Sequence, residues 1–266
     1  MTWKSIVEVE IAKTYIQLNA PQTWKIVQEF LELNKNYQLD SIGKLKQATP
    51  YMPDLIDLAR LHSLIIEEKR TTVLEFGCGF STLIMAEALA SLACEDSCLK
   101  LTKARRNNLH QIISIDDQES FIAIAKDRLP VGLSEFVKFV HSEVECSTHD
   151  SRVCTLYSQL PICMPDLIYI DGPDQFNVKG DVRGWSTRSV GMVPMSADLI
   201  SLEYILPSGC YVIIDGRGAN VQFLRDYLNK NWKYEYYQQV DQHSFLLECD
   251  SFGKYNDILI DYHKGL

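Results

Sequence analysis

Four acids and two glycines stand where apolar runs of this 266-residue chain come to an end. Glu75 lies inside "VLEFGCGFST", residues 73–82, ahead of Gly77 and Gly79. Asp116, followed by Asp117, closes "QIISID"; Asp171 follows "DLIYI" and Asp215 follows "CYVII". A carboxylate accepts two O–H bonds at once, takes a proton from a reacting group or holds a hard cation. Glycines directly after a strand let the backbone turn tightly or come close to a ligand. Binding of hydroxyls and removal of a proton are the chemistry these residue types could do, provided the fold gathers them.

The elements that must position them are legible from periodicity. Residues 1 to about 50 read as partly amphipathic helices, "SIVEVEIAKTYIQL" and "TWKIVQEFLELNKNY". Two prolines in "ATPYMPD" break that pattern, and "PDLIDLARLHSLIIEEK" resumes it with Pro53 near the helix start. Strand-like and helix-like runs then alternate, from "TVLEFG" and "STLIMAEALASLA" to "CYVIIDG" and "NVQFLRDYLNK". That alternation predicts an α/β fold, Rossmann-like and doubly wound, with a mostly parallel sheet. The last two runs, "WKYEYYQQV" and "HSFLLEC", have no helix between them and should pair antiparallel. The expected organisation is a helical extension over 1–52 and one α/β domain over 53–266. In such a sheet the carboxyl ends of the strands share one rim, where ligands bind.

Bulk properties narrow the partners. A hydrophobic fraction of 46% and a charged fraction of 23% suit a globular chain. A net charge of −9 argues against a general nucleic-acid binder, which needs a basic face. There is no apolar run of about 18 residues to span a membrane. The first residues lack the apolar core of a secretory leader, so a cytoplasmic location is expected. The eight cysteines contain no C-x-x-C pair, which leaves reduced thiols as the expectation and no structural zinc.

Two cofactor classes use a rim of glycines and acids. A dinucleotide needs G-x-G-x-x-G and an acid about 20 residues on. Here Thr82 takes the third glycine position and Asp116 lies much further away. S-adenosylmethionine carries no phosphate and needs a glycine loop plus an acid for its ribose hydroxyls. The ordered set "VLEFGCGFST", "IISIDDQ", "VKFVHSEVE", "DLIYIDGPD" and "CYVIIDGRG" resembles the class I S-adenosylmethionine-dependent methyltransferases, over roughly residues 55–250. Within them it looks closest to the small-molecule O-methyltransferase-like branch.

That resemblance implies roles. Gly77 and Gly79 would lie under the methionine moiety, with Glu75 organising the loop and Ser81 offering a hydroxyl near the carboxylate. Asp116 would take the ribose hydroxyls, and Glu143 would lie near the adenine amino group. Catalysis would fall to Asp171, Asp174, Asp215 and Arg217 beside a small-molecule acceptor. Metal-dependent relatives carry paired aspartates where this chain has Asp215-Gly216, so a divalent ion through Asp171 and Asp215 is open but not favoured. Asp174 stands where relatives often carry histidine, which weakens a histidine-base mechanism. The long loop "NVKGDVRGWSTRSVGMVP" is expected to act as a lid, with Arg183, Trp185 and Arg188 gripping the acceptor. His62 reads as a helix-surface residue and His243 as structural. The N-terminal helices would cover the acceptor pocket or form a homodimer contact. Rival readings are a non-catalytic S-adenosylmethionine-binding or scaffold protein, and a nicotinamide-dependent oxidoreductase.

Overall fold

The structure, a computed structural model, describes residues 2–34, 51–95, 101–189 and 191–266. The helical reading beyond Asn34 and the central part of "CEDSCLKLTK" fall outside them. The chain opens with α1 (Val9–Asn19) and α2 (Pro21–Leu33), then α3 (Leu55–Glu67), β1 (Thr72–Phe76) and α4 (Phe80–Glu95). β2 (Gln111–Asp116), α5 (Glu119–Arg128) and β3 (Val137–His141) follow, then β4 (Val144–His149) and β5 (Arg152–Tyr157). The second half runs β6 (Leu167–Ile170), α6 (Asp198–Leu202), β7 (Tyr211–Asp215), α7 (Gly218–Tyr227), β8 (Trp232–Tyr237), β9 (Gln242–Leu247) and α8 (Lys254–His263).

Seven strands form one sheet in the order β3-β2-β1-β6-β7-β9-β8. β9 lies antiparallel between β7 and β8, and the remaining neighbours pair parallel. The order reverses at β1 and β6, so the crevice expected of a doubly wound sheet opens at their carboxyl ends. Every residue of β1 and β6 is buried, as strands covered by helices on both faces must be.

Alternation decides which side chains meet. Val73, Ile112, Leu167, Tyr169, Tyr211 and Ile213 belong to the core shared with α1–α4. Leu74, Ile113, Ile168, Ile170, Val212 and Ile214 belong to the core on the opposite face. Successive strand residues face opposite ways. Glu75, Asp116, Asp171 and Asp215 therefore all continue the α3-side rows, at the carboxyl end. α3 is buried almost all round, between the sheet, α1 and α4, so its polar residues Asp57, Arg60 and His62 are enclosed as well. Asp54 caps its first turn by accepting from the Ile56 and Asp57 amides.

β4 and β5 form a separate antiparallel hairpin that the sequence reading does not contain. Its turn places Asp150 and Ser151 at φ 45° and 61°. Tight hairpin turns of this kind usually announce themselves with Asn-Gly or Asp-Gly, and Asp-Ser carries little of that signal. His62 is also placed differently from expectation: it is buried on α3, with Nδ1 3.1 Å from the Tyr15 hydroxyl. Burial pushes its imidazole down to about 4, so it is neutral. His243 is a packing residue, bonded to the Tyr234 hydroxyl at 2.9 Å and stacked on Tyr236.

Candidate active site

The two glycine turns at the carboxyl edge are pressed into each other. Gly77 sits at φ +91°, in the region that favours glycine. A Cβ on Gly172 would lie 2.8 Å from the Gly77 nitrogen and 3.0 Å from its Cα. Gly77 N–H donates to the Ile115 carbonyl at 2.8 Å, and Asp171 N–H donates to the Phe76 carbonyl at 3.0 Å. Gly77 is thus a backbone-to-backbone contact between the ends of β1, β2 and β6. Gly79 is different: a Cβ there would meet nothing within 4 Å. It faces a cleft of about 490 Å³ that lies over the crossing.

The turn between β1 and α4 is held by acids. Asp116 accepts the Cys78 amide on Oδ2 at 2.9 Å and the Gln118 amide on Oδ1 at 2.8 Å. The Gly79 amide donates to the Thr82 hydroxyl at 3.1 Å. Glu75, 0% exposed, receives the Ser81 and Thr82 hydroxyls at 2.6 Å each. Burial pushes its carboxyl up to about 7 against the pull of those donors. Ser81 lines the cleft, but its hydroxyl is committed to Glu75. Gly77, Cys78 and Gly79 thus all spend their amides inside the protein.

Beyond this turn the cleft wall is strongly acidic. Asp54, Asp57, Asp116, Asp117, Asp171, Asp174 and Asp215 line it, with Arg217 the one basic lining residue among the described residues. Arg217 donates to the carbonyls of Asp171 at 2.8 Å and Pro173 at 2.7 Å, tying the end of β7 to the turn after β6. Its part in this structure is to hold that turn. Asp117 receives the Asn177 side-chain amide at 2.6 Å, and burial pushes its carboxyl up to about 6. Asp171 opens to solvent through the cleft mouth, while protein packed around it elsewhere pushes it up to about 6 and Arg217 opposes that rise. Asp174 accepts the Phe176 amide at 3.0 Å. Apolar walls come from Phe80, Phe121 and Tyr169.

Of the residues singled out from sequence, Gly77, Gly79, Ser81, Asp116, Asp171, Asp174, Asp215 and Arg217 come together around this cleft, with Glu75 directly behind it. Glu143 does not: it forms a surface ion pair with Lys179. The same lysine's backbone bonds to Val144 and Cys146, stitching the long loop to β4. Trp185 is 61% exposed, Arg183 projects from a tight turn at φ 56°, and Arg188 donates to Ser186 and the Gly180 carbonyl within its own loop. None of these three lines the cleft; among its described residues the loop reaches it through its ends, at Phe176 and Pro194. The N-terminal helices α1 and α2 do not line it either. Its outer wall comes from residues 51–54 and the start of α3.

Sequence reasoning passed over Asp57 and Gln242. Asp57 is 8% exposed and lines the cleft from α3. Gln242, 0% exposed, faces Asp215 across the β7–β9 ladder and donates its side-chain amide to Asp57 Oδ1 at 3.2 Å. Asp57 and Arg60 stand at i and i+3 on α3, which puts them on one face of the helix. Among the described residues there is no group of three or more His, Cys, Asp or Glu side chains placed to hold a metal ion.

A sheet of this order, with one reversed strand between β7 and β8 and its acids on one rim, fits a Rossmann-like methyltransferase fold. No protein-family model matches the chain, and no curated protein matches it. Solved structures do resemble it. The methyltransferase PaMTH1 of Podospora anserina, bound to SAH, shares 14% identity over 84% of this chain and 88% of its own, with a TM-score of 0.46. The O-methyltransferase TomG of Streptomyces achromogenes, involved in tomaymycin synthesis and solved with SAM, shares 14% identity over 86% of this chain and 90% of its own, at TM-score 0.41. An O-methyltransferase of Bacillus cereus with SAH shares 12% over 84% of this chain and 90% of its own, also at 0.41.

Proposed function

We propose that the chain is an S-adenosylmethionine-dependent methyltransferase that acts on a hydroxyl of a small, uncharged acceptor, a sugar or a natural-product intermediate. The observation that carries this reading is the use of the glycine-loop amides. A dinucleotide's pyrophosphate is held by free N–H groups at this kind of loop and helix start. Here the Gly77, Cys78 and Gly79 amides are bonded to Ile115, Asp116 and Thr82, and the neighbouring side chains are carboxylates. A phosphate-free, cationic co-substrate fits such a loop; a pyrophosphate does not. Gly79, with open space where a Cβ would be, provides close approach for the methionine part. Asp116 and Asp117 have lone pairs left for the ribose hydroxyls.

The acid-rich wall bears on the acceptor too. It favours neutral hydroxylated or cationic molecules and disfavours anions, since Arg217 is already engaged with carbonyl groups. Positioning the acceptor oxygen against the methyl group supplies much of the catalysis, and a carboxylate on the rim removes the proton. The net charge of −9 supports a small acceptor over nucleic acid, and a cytoplasmic setting with no membrane partner is part of the same reading. Titration calorimetry with S-adenosylmethionine, S-adenosylhomocysteine and NAD separates the readings. Binding of the first two and not the third is expected; NAD binding alone would overturn the proposal. Transfer of a labelled methyl group to a panel of hydroxylated small molecules then distinguishes an enzyme from a non-catalytic binder.

A further inference from the structure

A second hollow lies on the opposite edge of the sheet from the cleft. Thr72 opens β1, residues 105–108 lead into β2, residues 162–164 lead into β6, and Ile205 precedes β7, so its walls gather at the amino ends of the parallel strands. Its volume is about 540 Å³, which suits a small organic ligand. Arg105 and Arg106 line it, and no carboxylate does among the described residues. Arg105 and Lys254 also lie over the Tyr255 ring, 5.0 Å and 4.9 Å from its centre. In a chain of net charge −9, whose other cleft is walled by aspartates, this is a local reversal of charge.

Two donors in its wall have no acceptor. Asn256, 7% exposed, accepts the Phe252 amide on Oδ1 at 3.1 Å. That bond fixes the side-chain nitrogen as the other end, since only the oxygen can accept. Asn256 Nδ2 is buried and has no hydrogen-bond partner among the described residues, and the same holds for Arg106 Nη1. Buried donors left unpaired are costly, and two in one wall call for an acceptor from outside the chain. Asp166, the buried acid joined to Thr72, does not supply it: it accepts the Thr71 and Thr72 amides and the Thr71 hydroxyl.

We propose that this hollow is a second binding site, for a small carboxylate with an apolar body, of the medium-chain or aryl-alkyl kind. The carboxylate supplies acceptors for Arg106 and Asn256 and balances the arginines. The body covers Ile162, Met164, Ile205 and Phe252, large apolar side chains that line the hollow and stand exposed around it. Inorganic phosphate would satisfy the donors and leave that apolar wall bare. The site stands apart from the methyltransferase reading, because the cleft lies at the other ends of the strands.

Methyl NMR on the intact protein, labelled at methionine and isoleucine, reads the site. Ile162, Met164 and Ile205 report on the hollow, and Met52, which lines the catalytic cleft, reports on the other site. Decanoate and phenylbutyrate should give saturable shifts at the first three and leave Met52 unmoved. Phenylbutyramide and inorganic phosphate should each bind roughly tenfold more weakly or worse, for want of the charged head or the apolar body. Asn256→Asp keeps the acceptor for the Phe252 amide and loses the donor; it and Arg106→Met should weaken the acids by a similar factor. Ile162 is fully exposed, so Ile162→Asp keeps the fold and sets a carboxylate at the rim. It should weaken the acids with the melting temperature unchanged. Equal binding of the amide, shifts at Met52 alone, or no shift with either acid up to millimolar concentration would each overturn the proposal. So would shifts that follow protein concentration in place of ligand, as at a contact between copies. Failure to bind S-adenosylmethionine would remove the proposed function and leave this site standing.

Discussion

Replacing Gly172 by alanine asks whether the two crossing turns are as tight as they look. The new Cβ would sit 2.8 Å from the Gly77 nitrogen, 3.0 Å from its Cα and 3.0 Å from the Phe76 carbonyl carbon, all backbone atoms. Ordinary contact begins near 3.4 Å, so the turns must part by about 0.6 Å. Gly77 cannot simply retreat, because its N–H is already bonded at 2.8 Å to Ile115 on the far side. Overpacking of this kind costs about 1–3 kcal/mol. Taking 2 kcal/mol as central, a domain of this size should melt roughly 4–8 °C lower. Cofactor affinity should fall with it, since the displaced residue begins the glycine loop. Gly79→Ala is the matched control: a Cβ there meets nothing within 4 Å. It should melt like the parent and lose only S-adenosylmethionine affinity. Thermal denaturation and calorimetry on both proteins decide the matter. Parental stability in Gly172→Ala, or equal destabilisation in the two variants, would refute the reasoning.

Three further expectations follow from the same contacts. Glu75 titrates near 4.5 when free and is raised to about 7 in the fold, so the folded chain keeps its proton longer than the unfolded chain. Stability should therefore fall as pH rises from about 4.5 to about 7, and Glu75→Gln should gain on the parent by about 3 kcal/mol across that window; denaturant melts at pH 5 and pH 8 with no such relative gain would count against it. Asp116→Ala should weaken S-adenosylmethionine binding by about 1.5–3 kcal/mol, and should also lower the melting temperature, because the Cys78 and Gln118 amides lose their acceptor; unchanged calorimetric affinity would exclude the ribose role. Arg183→Ala and Arg188→Ala should leave cofactor affinity and acceptor KM near parental values, whereas Phe176→Ala, at the cleft end of the same loop, should raise KM; a KM that follows the arginines instead would show that the loop tip folds over the acceptor.

The rim was legible in the sequence because it is written in local signals. Gly77, Asp116, Asp171 and Asp215 each sit at the end of an apolar run, and parallel strands put such ends on one edge. Glu143 and the loop from 176 to 194 were not legible, because a polar stretch carries no periodicity to say which way it folds. Glu143 looked like a ligand residue for its place after the third strand. The residues that fix its neighbourhood, β4 and Lys179, belong to a hairpin with a weak turn signal and to a loop stitched by backbone bonds.

Asp57 was hidden for a different reason. In a helix that is apolar along one side, an acid reads as solvent-facing, and nothing in the local pattern says that the other side is covered. Here α1 and the amino-terminal residues cover it, so Asp57 and Arg60 are enclosed, and their charges must be answered from within. Gln242 answers both, and it lies 185 residues from Asp57. Strand alternation puts Asp215 and Gln242 on the same face of neighbouring strands, opposite each other in register. The meeting of Asp57 with Gln242 was therefore set by a register between β7 and β9 and by the packing of α3 across them. That arrangement also gives the two acids different settings. Asp215 opens toward the cleft at the end of a strand, while Asp57 is held from behind by an amide whose orientation an arginine has already fixed.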